Sequence, residues 1–211
     1  PAMQVWGKVT NIVGVLVQGY CPNVSVGSLC EIVPEGGESP VQAEVVGFRD
    51  AMALLMPLGE LRGLPPGNLI KVLDSSATLP VGEDMLGRVL DAMGYPIDGK
   101  GPLSLPRSRM IYAQPPGPME RAQISVPLDV GVSSINGLLT CGLGQRLAIM
   151  AGSGVGKSTL MGMIARDSKA SINVIALIGE RGREVREFIE NDLGPEGLKR
   201  SVVIVATSDQ S

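Results

Sequence analysis

Apolar and polar positions alternate in short runs through the first third of the chain. GKVTNIVGVLVQG, SLCEIV, VQAEVVGF, AMALLMPL and NLIKVL are such runs, and Gly, Pro and Asn separate them. Alternation with a period of two between turn-forming residues predicts β-strands. Several short strands at this spacing predict a small β-barrel domain over residues 1–74. No residue in this region suggests catalysis, so a packing or assembly role is the preferred interpretation.

The pattern changes over residues 75–211. Gly and Pro recur at close intervals between Leu79 and Leu103, which predicts an ordered connector. Beyond it, RLAIMA, NVIALIG and SVVIVAT are continuous apolar runs, as expected of strands that are buried on both faces. STLMGMIARDS and EVREFIENDLG lie between these runs and predict helices. Buried strands that alternate with helices predict an α/β domain with a mainly parallel sheet.

The second of these predicted helices has a defined apolar face. Val185, Phe188 and Ile189 fall on that face, whereas Glu187 and Glu190 lie off it. A Gly-Pro pair follows the helix and is predicted to end it.

Composition excludes several classes of function. The 211 residues contain no histidine, which excludes a His-ligated zinc site and a Ser-His-Asp hydrolase. Three cysteines at no metal-ligand spacing predict reduced thiols in a cytosolic protein. The formal net charge of -3 gives no support to binding of a nucleic-acid backbone. Aromatic residues make up only 3%, so the predicted core is aliphatic.

The chain shows no signal for passage into or across a membrane. It has no run of about eighteen apolar residues and no basic stretch followed by an apolar one near its start. These observations favour a cytoplasmic location. The first residue is Pro1, which leaves room for a segment upstream.

The stretch AGSGVGKST, residues 151–159, is the strongest functional signal. It departs from the phosphate-loop pattern G-x-x-x-x-G-K-[ST] only at its first position, where Ala151 replaces glycine. Its glycines let backbone N–H groups turn towards phosphate oxygens, and the helix that follows adds its N-terminal dipole. The alternative is a glycine-rich turn that contains a lysine by chance, and the flanking strand and helix argue against it. The predicted nucleotide-binding residues are Gly152, Ser153, Gly154, Val155, Gly156, Lys157, Ser158 and Thr159.

Three side chains of this loop have predicted roles towards ATP and Mg²⁺. Lys157 would neutralise the β- and γ-phosphates. Ser158 would ligate Mg²⁺ through its hydroxyl, and Thr159 would bind the α-phosphate.

Hydrolysis needs a further group that positions and deprotonates a water molecule. Glu180 follows the second predicted strand of this domain, at the edge where ligands bind in open α/β sheets. Arg181 and Arg183 stand beside it. In isolation these residues would be read as a solvated surface loop, but the phosphate loop makes Glu180 the candidate for this step.

Four segments together resemble a known family. GRVLDAMGYPIDGKGP, INGLLTCGLGQR, AGSGVGKSTLMGMIAR and ALIGERGREVREFIENDLG occur in the order typical of type III secretion ATPases, both injectisome and flagellar. The chain is more distantly similar to the catalytic subunit of F-type ATPases. The resemblance covers nearly the whole chain and is strongest from Leu86 to Gln210. Asn136 departs from the family pattern, which usually has aspartate at this position.

The resemblance implies a barrel domain followed by a RecA-like ATPase domain in a homohexamer, with nucleotide between neighbouring subunits. It implies that Glu180 orients the attacking water, that Arg181 lies near the γ-phosphate and that Glu184 supports the metal and the water. Together with Lys157, these are the predicted catalytic residues. Non-catalytic rotary relatives carry Gln where Glu180 stands, which favours a catalytic protein.

The resemblance also implies partners and further parts. The expected partners are secretion chaperones, cargo proteins, and the stalk and stator proteins of the export apparatus. The expected location is the cytoplasmic face of the bacterial inner membrane. The family continues beyond residue 211 with the Walker B aspartate, an arginine finger and a helical domain, and Asp209 is not expected to replace that aspartate. The chain is therefore expected to be a fragment, with a truncated RecA-like domain and little activity of its own.

Three functions compete at this point. A protein-export ATPase is preferred, and EGLKRSVVIVATSD favours the injectisome branch over the flagellar one. A non-catalytic nucleotide-binding scaffold that stabilises a ring is the second. An RNA-tracking helicase is the third, and it is disfavoured because the predicted barrel of this acidic chain offers only Trp6, Tyr20 and Phe48 for base stacking.

Overall fold

The structure divides into two compact units. It is a computed structural model that describes residues 6–34, 36, 39–59, 65–74, 78–152 and 154–210. The first unit holds the described residues up to Thr78 with Met110–Tyr112 and Gln210, and the second holds Leu79–Arg109 with Ala113–Asp209. The domain boundary predicted after residue 74 stays a prediction, since residues 75–77 lie outside the described part.

The regular elements of the described residues are strands, short helices and one π-helical segment. The strands are β1 (Trp6–Val13), β2 (Leu16–Tyr20), β3 (Leu29–Val33), β4 (Val41–Arg49), β5 (Met52–Pro57), β6 (Leu69–Asp74), β7 (Thr78–Val81), β8 (Arg88–Asp91), β9 (Arg107–Met110), β10 (Asn173–Ile178) and β11 (Ser201–Ala206). The helices are α1 (Ser133–Leu138), α2 (Lys157–Asp167), α3 (Gly182–Glu187) and α4 (Gly194–Lys199). The π-helical segment π1 (Phe188–Leu193) joins α3 to α4. Short 3-10 turns lie at Glu83–Met85 and Pro118–Glu120.

Six antiparallel strands of the first unit close into a barrel in the order β1-β2-β5-β4-β3-β6. Alternate side chains point inward, as Cys30 and Ile32 do from β3. The predicted barrel and its aliphatic core are therefore confirmed. The three cysteines are free and buried, and their predicted reduced state stays a prediction. The core side chains are Val9, Val17, Cys21, Cys30, Ile32, Ala43, Val45, Ala53, Leu55 and Ile70.

The second unit contains a parallel three-stranded sheet in the order β10-β11-β8. Within it, Val203 of β11 pairs with Ile175 of β10 on one side and with Val89 of β8 on the other. The prediction of a parallel α/β sheet is thus confirmed. Strand β8 was not predicted and lies in the segment that was predicted as a connector, because only four residues of strand stand between glycine-rich turns.

The strand predicted at RLAIMA is wrong. Residues 146–151 form no strand and are exposed, and the side chain of Met150 is 91% accessible. Strands require a hydrogen-bonding neighbour, and an apolar run does not supply one by itself. Among the described strands, β10 pairs only with β11. The other edge of β10 therefore forms no strand pairing with residues 146–151.

Helices pack on one face of the sheet. Ala165 of α2, Val185 of α3 and Leu193 of π1 share a core with Val203 of β11. The predicted helices are present, but the second one was predicted as a single regular helix. Gly194, at a φ of 65°, closes π1, and α4 begins at the same residue, so the Gly-Pro pair changes the helix direction rather than ending helical structure. No helix among the described residues has the length and apolar character needed to cross a bilayer.

An ion pair fixes the loop that follows β8. The guanidinium of Arg88 donates to both carboxylate oxygens of Asp98, at 2.7 and 2.9 Å, and to the carbonyl of Gly101 at 2.7 Å. The backbone N–H groups of Val89 and Lys100 donate to the same carboxylate. The two side chains are only 11% and 7% exposed. The hydrogen bond from Arg88 is the main reason why the pKa of Asp98 lies well below its usual range.

The exchange Asp98→Asn should destabilise the second unit, because it leaves Arg88 without its anionic partner. The midpoint of thermal unfolding should fall by about 5 °C at pH 7. Circular dichroism measures this change. Glu196→Gln on the exposed surface of α4 is the matched control and should leave the midpoint nearly unchanged.

The effect of Asp98→Asn should also depend on pH. Because the pKa of Asp98 is lower in the folded state than in the unfolded state, the carboxylate stabilises the fold above the unfolded pKa of about 4. This contribution is lost as the pH falls through the folded-state pKa. The difference in unfolding midpoint between parent and variant should therefore be fully present at pH 7 and shrink below about pH 4. A difference in unfolding midpoint that did not change with pH would rule out the ion pair as its cause.

Candidate active site

The glycine-rich loop turns directly into α2. Gly154 and Gly156 adopt φ values of 76° and 96°, in the left-handed region that favours glycine. No atom of the chain lies within 4 Å of the position that a Cβ would take at Gly152, Gly154 or Gly156. The loop therefore borders open space, and the N-terminal N–H groups of α2, an 11-residue helix, begin at its end. This geometry suits an anion.

A cavity of about 510 Å³ opens in front of the loop. Most of the predicted binding residues line it, namely Gly152, Gly154, Gly156, Lys157, Ser158 and Thr159. Val155 is exposed and does not line it, and the predicted contact at Ser153 lies outside the described residues. The loop thus brings its lysine and both hydroxyl-bearing residues to one space of a size that can hold phosphates.

Glu180 faces the loop from the carboxyl end of β10. The N–H of Gly179 donates to the carbonyl of Ala206 at 2.7 Å, and the carbonyl of Glu180 accepts from the N–H of Ser208 at 3.0 Å. These two bonds fix the backbone where β10 and β11 end. The Glu180 carboxylate lies 3.7 Å from the Lys157 ammonium, and the side chains are 36% and 46% exposed. These two residues therefore face each other across the candidate site.

The other predicted catalytic residues are placed differently from one another. Glu184 of α3 lines the cavity. Arg181 does not line it, and its guanidinium instead donates to Glu184 at 3.3 Å on the exposed side of α3. The expected position of Arg181 near a γ-phosphate therefore stays a prediction. Arg181 could take that position only after releasing Glu184.

Two residues that line the cavity were missed from the sequence. Glu187 of α3 and Asp192 of π1 face the same space as the loop. The helical pattern already placed Glu187 off the apolar face, which was a usable signal. No comparable signal pointed to Asp192, because its position depends on the π-helical turn.

The charges of the cavity are unbalanced. Four carboxylates line it, those of Glu180, Glu184, Glu187 and Asp192, whereas Lys157 is the one cationic side chain among the described residues of the lining. A polyphosphate alone would be repelled by this wall. Backbone N–H groups, Lys157 and a divalent cation together can offset that repulsion.

The protein groups that could bind such a cation are few. Within the described residues, no cluster of three or more Asp, Glu, Cys or His side chains has a geometry that could hold a metal. Mg²⁺ usually keeps several waters and binds to one or two protein oxygens together with phosphate oxygens. Ser158 offers such an oxygen at the start of α2. Asp209 follows the end of β11 and is not among the residues of the lining.

The loop, Glu180 and the helices behind them match a known sequence family. Residues 131–211 match the model of the ATP synthase alpha/beta family, nucleotide-binding domain. The flagellum-specific ATP synthase of Bacillus subtilis (strain 168) is 51% identical over 97% of the chain. Residues 131–211 therefore resemble the nucleotide-binding domain of the ATP synthase alpha/beta family.

Relatives of two kinds match the chain about equally well. The type 3 secretion system ATPase of Xanthomonas euvesicatoria is 50% identical over 98% of the chain, close to the value for the flagellar relative. The predicted resemblance to secretion and flagellar ATPases is thereby confirmed. The chain spans 47% of the length of each of these two relatives, or about half.

Two solved structures share the fold of the chain. The ATPase EscN, assembled with its central stalk EscO from the type III secretion system of enteropathogenic E. coli, matches with a TM-score of 0.86 and 40% identity. The assembled EscN without the stalk matches with a TM-score of 0.83 and 39% identity. Each match covers 97% of this chain and 48–49% of the EscN chain. The chain thus shares its fold with EscN over the matched part.

The opposed charges of Lys157 and Glu180 predict opposite effects on nucleotide affinity. Lys157→Met removes the one cationic side chain of the described lining and should weaken ADP binding by about tenfold or more. Glu180→Gln should bind ADP at least as tightly as the parent, because a carboxylate no longer competes with phosphate for Lys157.

Isothermal titration of the chain with ADP and Mg²⁺ measures both effects. Lys199→Met, on the surface of α4, is the control for loss of a positive charge elsewhere. Equal losses of affinity in Lys157→Met and Glu180→Gln would contradict the site as described.

Proposed function

We propose that this chain binds and hydrolyses Mg-ATP as part of a hexameric ATPase that powers protein export through a type III secretion apparatus. The observation that carries the proposal is the meeting of the phosphate loop with Glu180, whose carboxylate lies 3.7 Å from Lys157. A site that only held nucleotide would not need a carboxylate at this edge. The names of the relatives, flagellum-specific ATP synthase and type 3 secretion system ATPase, support the same activity.

The residues of the cavity have distinct roles in this mechanism. The loop amides and Lys157 bind the β- and γ-phosphates. The Ser158 hydroxyl would hold Mg²⁺, which would supply neutralising charge. Glu180 gives up its contact with Lys157 to the phosphates and orients a water molecule for attack in line with the bond that breaks. Glu184 supports the metal and the water, and Arg181 turns towards the γ-phosphate.

The partners follow from the relatives. EscN is solved as an assembled ATPase and in complex with its central stalk, so a ring and a stalk partner are proposed for this protein too. In that ring, nucleotide lies between neighbouring subunits. Chaperones and cargo proteins, stator proteins and a position at the inner face of the bacterial inner membrane complete the proposal.

The choice between injectisome and flagellar export rests on small differences. The first flagellar and secretion relatives differ by one percentage point of identity, 51% against 50%. The preference for the injectisome, taken from residues 196–209, therefore stays a prediction.

A non-catalytic ring scaffold is the second candidate. It is favoured by the single cationic side chain among the described residues of the lining, because phosphoryl transfer usually needs a further positive charge at the γ-phosphate. A scaffold would bind nucleotide without hydrolysing it, whereas the first candidate would hydrolyse ATP.

Phosphate release from Mg-ATP tests the proposed function. The chain alone should release little phosphate at any protein concentration, because Lys157 is the one cationic side chain among the described residues of the lining and phosphoryl transfer usually needs a further positive charge at the γ-phosphate. A longer polypeptide, in which the second half of the Bacillus subtilis relative follows residue 211, should hydrolyse ATP. Glu180→Gln in this polypeptide should reduce the rate by about 10² or more. Hydrolysis by Glu180→Gln at the parent rate would refute the proposal, and binding without turnover in the parent would favour the scaffold.

A further inference from the structure

One glycine in α2 permits an unusually close approach between two walls of the candidate site. A Cβ at Gly162 would lie 2.6 Å from the carbonyl oxygen of Asp192 and 2.8 Å from its carbonyl carbon. Side chains do not tolerate such distances to backbone atoms, so any larger residue would push α2 and π1 apart. Gly162 is buried at this contact.

The segment that Gly162 touches is part of one continuous helical rod. α3 and π1 follow each other without a break from Gly182 to Leu193, and Phe188 at their junction has helical φ and ψ values of -60° and -46°. A displacement at Asp192 is therefore passed along the rod to α3. The rod carries Glu184 and Glu187, which line the cavity.

The π-helical turn also fixes the rotation of this rod. Phe188 and Leu193 are both buried in the core under the sheet. In a regular α-helix, residues five positions apart point about 140° away from each other. The wider turn of a π-helix, with its i→i+5 hydrogen bonds, lets both side chains face the core. Asp192 is thereby placed between α2 and the cavity.

The two walls of the site carry different groups. α2 begins with Lys157 and Ser158, directly after the glycine-rich loop, and forms the phosphate wall. The rod provides the carboxylate wall. Gly162 lies in the contact between them, so its missing side chain sets the distance from the loop to Glu184 and Glu187.

We propose that Gly162 is a positioning residue, which brings Glu184 and Glu187 close enough to the phosphate loop to hold the water shell of a nucleotide-bound divalent cation. This inference rests on the proposed binding of Mg-nucleotide. It assigns Glu187, which the sequence analysis did not select, to the same task as Glu184. Carboxylates that hold metal-bound water usually contribute tenfold or more to metal affinity.

The experiment compares ADP affinity with and without Mg²⁺ in the parent chain and in Gly162→Ala. In EDTA, the affinity depends on the loop and Lys157, which the exchange does not touch, and should stay within about twofold of the parent. With Mg²⁺, the parent should gain affinity, and this gain should fall by about tenfold in Gly162→Ala. A merely structural role would lower both affinities together.

Gly137→Ala is the matched control. It makes the same chemical change in a helix, α1, where no atom lies within 4 Å of the new Cβ. Its affinities should equal those of the parent in both conditions. Circular dichroism at the working temperature shows whether each variant is folded.

Glu187→Gln keeps the proposal testable if Gly162→Ala does not fold. It should lose most of the gain from Mg²⁺ while its affinity in EDTA holds or rises, because a negative charge has left the cavity. A full Mg²⁺ gain in folded Gly162→Ala, or in Glu187→Gln, would overturn the inference. A parent chain that bound no ADP in either condition would instead refute the proposed function, and the inference with it.

Discussion

The candidate site depends on the opposition of Lys157 and Glu180. The lysine stands at the amino end of α2 and the glutamate just past the carboxyl end of β10, and the backbone bonds between the ends of β10 and β11 hold the glutamate in place. At 3.7 Å the two charges partly neutralise each other. A triphosphate would compete with the carboxylate for Lys157 and so release Glu180 to bind water. Binding and preparation for hydrolysis would then be one event.

The rest of the cavity follows from the same constraint. Its carboxylates outnumber its cationic side chains, so phosphate binding in this cavity depends on the loop amides and on a divalent cation. The core beneath the sheet holds the helices that carry these groups. Gly162 lets the phosphate wall and the carboxylate wall approach each other. The geometry of the site therefore depends on how α2 packs against π1 at Gly162.

Local sequence patterns predicted much of this arrangement, and tertiary contacts decided the rest. The barrel, the phosphate loop and the position of Glu180 follow from alternation, glycine spacing and the end of an apolar run. The RLAIMA segment was predicted wrongly because a strand needs a neighbour, which an apolar run does not reveal. β8 and π1 were missed for a related reason, since β8 is defined by its pairing with β11 and π1 by the burial of two residues five apart. Asp192 could not be found without π1.

A crystal structure of the chain with Mg²⁺ and a non-hydrolysable ATP analogue tests the central claim most directly. The account predicts the phosphates within the loop of residues 151–159, with Nζ of Lys157 on the β- and γ-phosphate oxygens and no longer paired with Glu180. It also predicts the metal on the hydroxyl of Ser158. An analogue bound elsewhere, or bound while Lys157 stays paired with Glu180, would contradict it.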